Sequence, residues 1–246
     1  TLIPSVINKG YSQAFVQFAD SDPGTLDAIN YMVGLVAQRQ GNYSEAKDFL
    51  GAVTEGSPYY LKAQYILAIM AVRTASTQGA TDFAEAIGYF EGIKDQLEKR
   101  LEVETAVSDN DKRLLRLATL GLARAYYSQG DDKKSSENDE AVPRLSEDWY
   151  EAMFESGWAY YREGQFGKAL GMVHSIQSPY FDERYRAESW VLKATTYFQN
   201  CHFDRIRKSI DTFLGIYEPM QEQIKPWLEG DQTDAEMVDL ILNGDK

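Results

Sequence analysis

Apolar and small residues recur along the chain at an interval of 34 residues. Tyr126 and Tyr160 are separated by this distance, and Gly130 and Gly164 repeat the same spacing. The interval corresponds to one helix–turn–helix unit, which cannot bury its apolar face alone and must stack on its neighbours. The pattern therefore predicts a row of helical hairpins, in which each pair of helices packs against the next pair.

The hairpins share one order of residue types. A large apolar residue precedes a small residue, an aromatic residue, a turn glycine and an alanine. Small residues fit where helices cross closely, and glycine permits the turn. The fourth unit is nearly complete, with Gly157, Tyr160, Gly164, Phe166 and Ala169. The predicted units span about 25–58, 59–107, 108–143, 144–179 and 180–217.

Two terminal segments flank the five units. Residues 1–24 are predicted to form an N-terminal capping helix or a half-repeat, and Thr25 is a candidate N-cap for the first unit. Residues 218–246 are predicted to form an acidic helical segment. The chain begins at Thr1 without an initiator methionine or a signal peptide, so we expect a processed product.

One segment departs from the apolar pattern. In the third unit, the second helix should begin near Asp131, but its packing positions carry Asp132, Ser135 and Asp139. High charge combined with low hydrophobicity is typical of disorder. We therefore predict that residues 131–141 are loosened or partly unfolded, with a polar surface helix as the alternative.

The five units in register resemble the tetratricopeptide repeat family over roughly residues 5–217. The resemblance implies an all-α fold, a right-handed superhelical solenoid of about five hairpins with insertions and terminal helices. The stretches Trp158-Ala159-Tyr160-Tyr161 and Tyr197-Phe198-Gln199-Asn200-Cys201 are also similar to bacterial envelope-associated repeat adaptors.

In this family, the first helix of each hairpin lines a concave face, and the resemblance implies which residues lie there. The candidate partner-binding residues are Tyr31, Arg39, Tyr65, Arg73, Arg124, Tyr127, Phe154, Trp158, Tyr161, Arg162 and Phe198. Arginine holds carboxylates in bidentate geometry, and aromatic rings provide rigid contact area. We therefore expect a groove that binds an acidic or apolar peptide, centred on Phe154, Trp158 and Tyr161. The alternative is that these residues pack in the core or pair with neighbouring carboxylates.

Charge narrows the range of partners. The chain has 246 residues and a formal net charge of −13, from 38 acidic and 25 basic side chains. Nucleic acid is excluded as an expected ligand, because phosphate binding requires basic patches. The acid-rich stretches 131–155 and 218–246 are solvated surface or a docking face for a basic partner.

Catalytic, cofactor and metal motifs are not found in the sequence. Glycine-rich phosphate loops, nucleophile elbows and zinc-protease motifs are missing, and the histidines are only His174 and His202. The single cysteine, Cys201, stands where the fifth unit would have its turn glycine, and we expect it to be a packing residue. We predict no enzyme activity, no catalytic residues, no cofactor and no metal site.

The predicted function is that of a non-enzymatic scaffold or adaptor within a multi-protein assembly. The alternative is a structural subunit of a large envelope or motility complex, packed edge to edge through its repeats. The chain has no apolar run long enough for a transmembrane helix. The resemblance implies the bacterial periplasm or an outer-membrane-associated location, with the cytoplasm as the alternative.

Overall fold

A computed structural model describes residues 22–103, 107–181 and 186–230, together with Arg184 and isolated positions between 233 and 238. Every regular element in these ranges is helical, and none is a strand. The expected N-terminal segment lies outside the described residues except for its last three positions. Among the described residues, no helix combines the length and the apolar character needed to cross a membrane.

The described helices form consecutive pairs. In chain order they are α1 (Pro23–Arg39), α2 (Tyr43–Gly51), α3 (Tyr60–Thr77), α4 (Ala84–Val103), α5 (Asp109–Gln129), α6 (Asp132–Glu140), α7 (Trp149–Arg162), α8 (Phe166–Ile176), α9 (Glu188–Gln199) and α10 (Phe203–Leu228). A short 3₁₀ turn, Pro179–Phe181, follows α8. The predicted all-α class with about five hairpins is confirmed.

The chain divides into two compact units, residues 1–159 and 160–246. In unit 1, the ring of Phe90 is fully buried among apolar side chains of α3, α4 and α5, such as Leu97 and Leu122. In unit 2, Val173, Leu192 and Tyr197 are buried. Apolar faces of α3, α4 and α5 are thus buried within unit 1, and those of α8 and α9 within unit 2.

The turns between paired helices share a left-handed residue. Gly41, Gly130 and Gly164 have φ values of 84°, 91° and 75°, which glycine adopts without steric cost. Cys201 occupies the equivalent turn between α9 and α10 with φ of 57°. The side chain of Cys201 is exposed, so Cys201 is not the packing residue that we expected. It occupies the left-handed position of the turn.

Replacing Cys201 by glycine is expected to stabilise the protein by about 0.5–1 kcal/mol. A non-glycine residue in the left-handed region costs about 1–2 kcal/mol, and the extra flexibility of unfolded glycine offsets part of that gain. Urea unfolding measures the difference. The reciprocal change, Gly164→Ala, should destabilise the protein by a similar amount. If neither variant changed the free energy of unfolding, the left-handed turn position would not carry the proposed energetic cost.

The first described helix begins earlier than the sequence indicated. The N-cap is Asp22, whose Oδ1 accepts the Thr25 N–H at 3.1 Å and whose Oδ2 accepts the Thr25 hydroxyl at 2.6 Å. Thr25 is therefore not the N-cap, and Pro23 occupies the first helical turn, where no N–H is needed. Asp22 takes the N-cap position because aspartate is a better capping acceptor than threonine.

The prediction of an unfolded strip over 131–141 is wrong. Asp131 caps α6 by accepting the Lys134 N–H at 3.1 Å, and the helix continues to Glu140. The alternative of a polar surface helix describes α6, although Ser135, Ser136 and Asp139 on one side of it are buried. Short side chains let α6 pack on α5 where the repeat pattern expects larger apolar residues.

The predicted boundary at residue 217 lies inside a single helix. α10 continues without interruption to Leu228 and contains Pro219 and Pro226. Each proline removes one intrahelical hydrogen bond and usually kinks or breaks a helix. At Pro219 the carbonyl that loses its partner belongs to Gly215, which is exposed to water. Most of the predicted C-terminal segment after residue 230 lies outside the described residues.

Candidate partner-binding site

All eleven predicted binding residues lie on the first helix of a hairpin. Helix α1 carries Tyr31 and Arg39, α3 carries Tyr65 and Arg73, α5 carries Arg124 and Tyr127, α7 carries Phe154, Trp158, Tyr161 and Arg162, and α9 carries Phe198. The positions through Trp158 belong to unit 1, and the last three belong to unit 2. Their side chains differ widely in exposure.

Three of the predicted aromatic residues are engaged in packing. Phe154 is only 6% exposed, so the prediction that it forms the centre of a binding surface is wrong. Tyr65 packs edge-on against Phe90, with 5.9 Å between ring centroids. Tyr31 stacks on Tyr59 at 5.2 Å, and burial raises the pKa of both Tyr31 and Tyr65. The alternative of core packing therefore describes these residues better.

The predicted arginines have different environments. Arg39 and Arg162 are exposed at the end of their helices. The guanidinium of Arg73 lies 5.1 Å from the ring centroid of Tyr43, a cation–π contact. Arg124 is bound by a carboxylate. The four side chains therefore do not form a uniform row of unpaired cations.

Arg124, Tyr127 and Trp158 line one cavity of about 280 Å³ in unit 1. Helices α5, α6 and α7 form its walls. The remaining lining residues are Ala123, Ser128, Ser135 and Glu155. The sequence had indicated the two aromatic side chains and the arginine, but not the carboxylate or the serines. We call this cavity the unit 1 pocket.

An ion pair forms one side of the unit 1 pocket. The Arg124 Nε donates to both carboxylate oxygens of Glu155 at 2.9 Å, and Nη2 donates to Oε1 at 2.7 Å. The side chain of Glu155 is 23% exposed and that of Arg124 is 55% exposed. Burial raises the pKa of Glu155, and the hydrogen bond and charge of Arg124 oppose that shift. Glu151 lies 4.0 Å from the same guanidinium.

A buried carboxyl group adds to this cluster. Asp139 is 3% exposed, and neither of its carboxyl oxygens has a hydrogen-bond partner among the described residues. Burial raises its pKa to about 9; the charges of Glu155 and Glu151 act in the same direction and that of Arg124 in the opposite one. Glu151 and Glu155 thus share the guanidinium of Arg124, while the buried Asp139 is held mainly in its protonated form.

A second cavity, of about 340 Å³, lies in unit 2 between α8, α9 and α10. Its lining includes several basic side chains that the sequence analysis did not single out. No group of three or more potential metal ligands occurs in the described part of the chain.

Solved structures with a similar fold are repeat proteins. A putative kinesin light chain of Podospora anserina with nearly identical tetratricopeptide-like repeats aligns with a TM-score of 0.56 at 18% identity, over 82% of this chain and 99% of that chain. PilF of Pseudomonas aeruginosa aligns with a TM-score of 0.53 at 14% identity, over 88% and 89% of the two chains.

PilW, a widely conserved type IV pilus biogenesis factor, aligns with a TM-score of 0.54 at 14% identity, over 88% of this chain and 91% of that chain. No protein-family model matches the sequence, and no curated protein matches it. At these identities the similarity concerns the fold. Together with the consecutive helical hairpins, it shows that this chain has the tetratricopeptide-repeat fold.

Proposed function

We propose that the protein is a non-enzymatic interaction scaffold whose unit 1 pocket receives a side chain of a partner polypeptide. Repeat folds of this kind generally present extended surfaces to other proteins. The observation that carries the proposal is the unit 1 pocket itself, in which Tyr127 and Trp158 stand beside the Arg124–Glu155 pair on the first helices.

The charges of the unit 1 pocket favour a basic side chain. Arg124 already binds Glu155 in bidentate geometry, so an incoming carboxylate would have to displace that partner. When both are ionised, Glu151 and Glu155 carry two negative charges against the single positive charge of Arg124. An arginine or lysine side chain of the partner would balance the remaining negative charge. Its aliphatic part would contact the rings of Tyr127 and Trp158, and its charged end would interact with their faces.

The remaining exposed positions extend the proposal. The exposed Arg39, Arg162 and Phe198, and the partly exposed Tyr161, are candidate contacts for other parts of a partner, acidic or apolar. The fold similarity to PilF and to the pilus biogenesis factor PilW supports a role in a bacterial envelope assembly, and hence a periplasmic or outer-membrane-associated location.

A structural-subunit function is the second candidate. It is favoured by α10, on which Ile210, Ile224 and Leu228 are exposed. Exposed apolar side chains along one helix suit edge-to-edge packing with another chain. This alternative requires self-association, which sedimentation of the protein over a range of concentrations would detect.

Two peptides that differ in one residue test the unit 1 pocket. In calorimetric titration, we expect the full chain to bind acetyl-Gly-Phe-Arg-Phe-Gly-amide more tightly than acetyl-Gly-Phe-Glu-Phe-Gly-amide. Ser128→Lys places a cation at the pocket and should weaken binding of the arginine peptide about tenfold or more, because it repels the incoming charge.

Ser175→Lys is the matched control. Both serines are exposed and both hydroxyls donate to the carbonyl four residues earlier, at 2.8 Å to Arg124 and 2.9 Å to Gly171. The control should leave the affinity within about twofold, because it adds the same net charge outside the pocket. Equal weakening by both variants, or tighter binding of the glutamate peptide, would exclude the proposed pocket chemistry.

A further inference from the structure

The cavity of unit 2 is basic, although the chain is strongly acidic. Its lining contains His174 from α8, Lys193 from α9, and Arg205 and Lys208 from α10. No aspartate or glutamate is among the described residues that line it. In a chain with a formal net charge of −13, basic side chains from three helices therefore converge on one cavity. We call it the unit 2 cleft.

Lys193 is half-buried, and none of the described residues provides a counter-ion for it. Its Nζ donates to the side-chain oxygen of Gln177 at 2.8 Å and lies 4.8 Å from the ring centroid of Trp190. Burial lowers its pKa, and no carboxylate counteracts this shift. A half-buried ammonium group without a counter-ion is costly, so this position suggests that an anion belongs beside it.

The other basic groups of the unit 2 cleft are also without carboxylate partners. Among the described residues, neither Arg205 nor Lys208 makes an ion pair, and the Arg205 guanidinium lies 5.6 Å from the ring centroid of Tyr197. Burial lowers the pKa of His174, and the charges of Lys193 and Arg205 lower it further. His174 is therefore less readily protonated than a free imidazole, and the cationic side chains that line the cleft are Lys193, Arg205 and Lys208.

We propose that the unit 2 cleft binds an acidic side chain of a partner polypeptide. Arginine and lysine together recognise carboxylates by charge-assisted hydrogen bonds. The rings of Trp190 and Tyr197 provide apolar walls for the atoms that carry the carboxylate. The cleft volume of about 340 Å³ is at the lower end of ligand-pocket volumes and accommodates a side chain with its neighbouring backbone.

This site is independent of the unit 1 pocket. It lies in the other compact unit, its residues come from α8, α9 and α10, and it has the opposite charge. A scaffold with both sites would bind basic side chains of its partners in the unit 1 pocket and acidic side chains in the unit 2 cleft. The failure of either site in an experiment would leave the other unaffected.

Nuclear magnetic resonance titration of the full chain with tetraglutamate tests the proposal. We expect saturable shifts in the signals of Lys193 and Trp190, and a dissociation constant at least tenfold weaker for Arg205→Gln/Lys208→Gln. The control is Arg207→Gln, which removes one charge from the same helix at an exposed position outside the cleft. It should change the affinity by no more than about twofold, because it alters only the long-range field.

Inorganic phosphate is titrated in parallel to separate the two kinds of anion. Saturable tetraglutamate binding that depends on Arg205 and Lys208 supports the proposal. The absence of saturable binding, equal loss in the Arg207→Gln control, or specific binding of phosphate without tetraglutamate would each overturn it. Circular dichroism confirms that the variants are folded, and Lys208→Gln alone replaces the double variant if that one is unfolded.

Discussion

Replacing Asp139 by asparagine should stabilise the protein by roughly 2–4 kcal/mol at pH 8. The carboxyl group is 3% exposed, has no hydrogen-bond partner among the described residues, and has a pKa of about 9. Because the ordinary value is 3.8, the folded protein binds a proton that the unfolded chain releases between these two pH values. Stability therefore falls as the pH rises from about 4 to about 9, and asparagine removes this dependence.

Urea unfolding of both proteins at pH 5, 7 and 9 measures this effect. The difference between Asp139→Asn and the original protein should grow with pH, since asparagine does not titrate. Glu151, Glu155 and Arg124 act on the same carboxyl group and are present in both proteins, so the comparison isolates residue 139. Parallel pH profiles would show that Asp139 is already ionised in the folded state.

Glu137→Gln is the matched control for this experiment. Glu137 lies on the same helix, α6, but it is exposed, and its ion pair with Lys133 spans 3.9 Å. Exposed pairs of this kind contribute about 0–1 kcal/mol. We expect a change of that size or smaller, and little variation of the difference between pH 5 and pH 9.

Introducing a methyl group at Gly121 should destabilise the protein by about 1–3 kcal/mol. The Cβ of Gly121→Ala would lie 2.5 Å from both Cε1 and Cζ of Phe90, whose ring is fully buried between α4 and α5. The ring cannot shift without disturbing the surrounding side chains, because protein interiors are close-packed. The gain in helix propensity from alanine, about 1 kcal/mol, offsets only part of this cost.

A double-mutant cycle with Phe90→Leu identifies the contact. In that background Gly121→Ala should cost less, because the clashing ring atoms are gone, and the coupling energy should exceed about 0.5 kcal/mol. Gly92→Ala is the control, since its added Cβ on α4 meets no atom within 4 Å. It should stabilise the protein by up to about 1 kcal/mol. Additive effects of Gly121→Ala and Phe90→Leu would contradict the proposed clash.

Much of the fold could be predicted because it depends on local preferences. The spacing of Gly130 and Gly164 indicated where each pair of helices turns, and both glycines have the left-handed conformation that such a turn requires. Cys201 was identified as the exception in the same series and adopts that conformation as well. The close approach at Gly34, where an added Cβ would lie 2.6 Å from Leu50, also agrees with the role expected of small residues.

The side-chain contacts of the candidate sites could be predicted from the sequence only in part. The repeat register placed Arg124 and Trp158 on the proper helices, but it could not show that Glu155 holds the arginine or that Phe154 is buried. In the unit 2 cleft, Lys193 occupies a position in α9 where the pattern leads one to expect a packing residue. The four basic residues of the cleft come from three helices, α8, α9 and α10, which packing brings together.

The sequence by itself determined the helical hairpins, their number and their turns, because helix periodicity and backbone conformation are properties of neighbouring residues. Only the tertiary structure decided the environment of each polar side chain. Helix α6 shows the difference, since its composition is typical of disorder, yet Ser135 and Asp139 are buried. Burial, ion pairing and the resulting pKa depend on groups that packing brings together from distant parts of the chain.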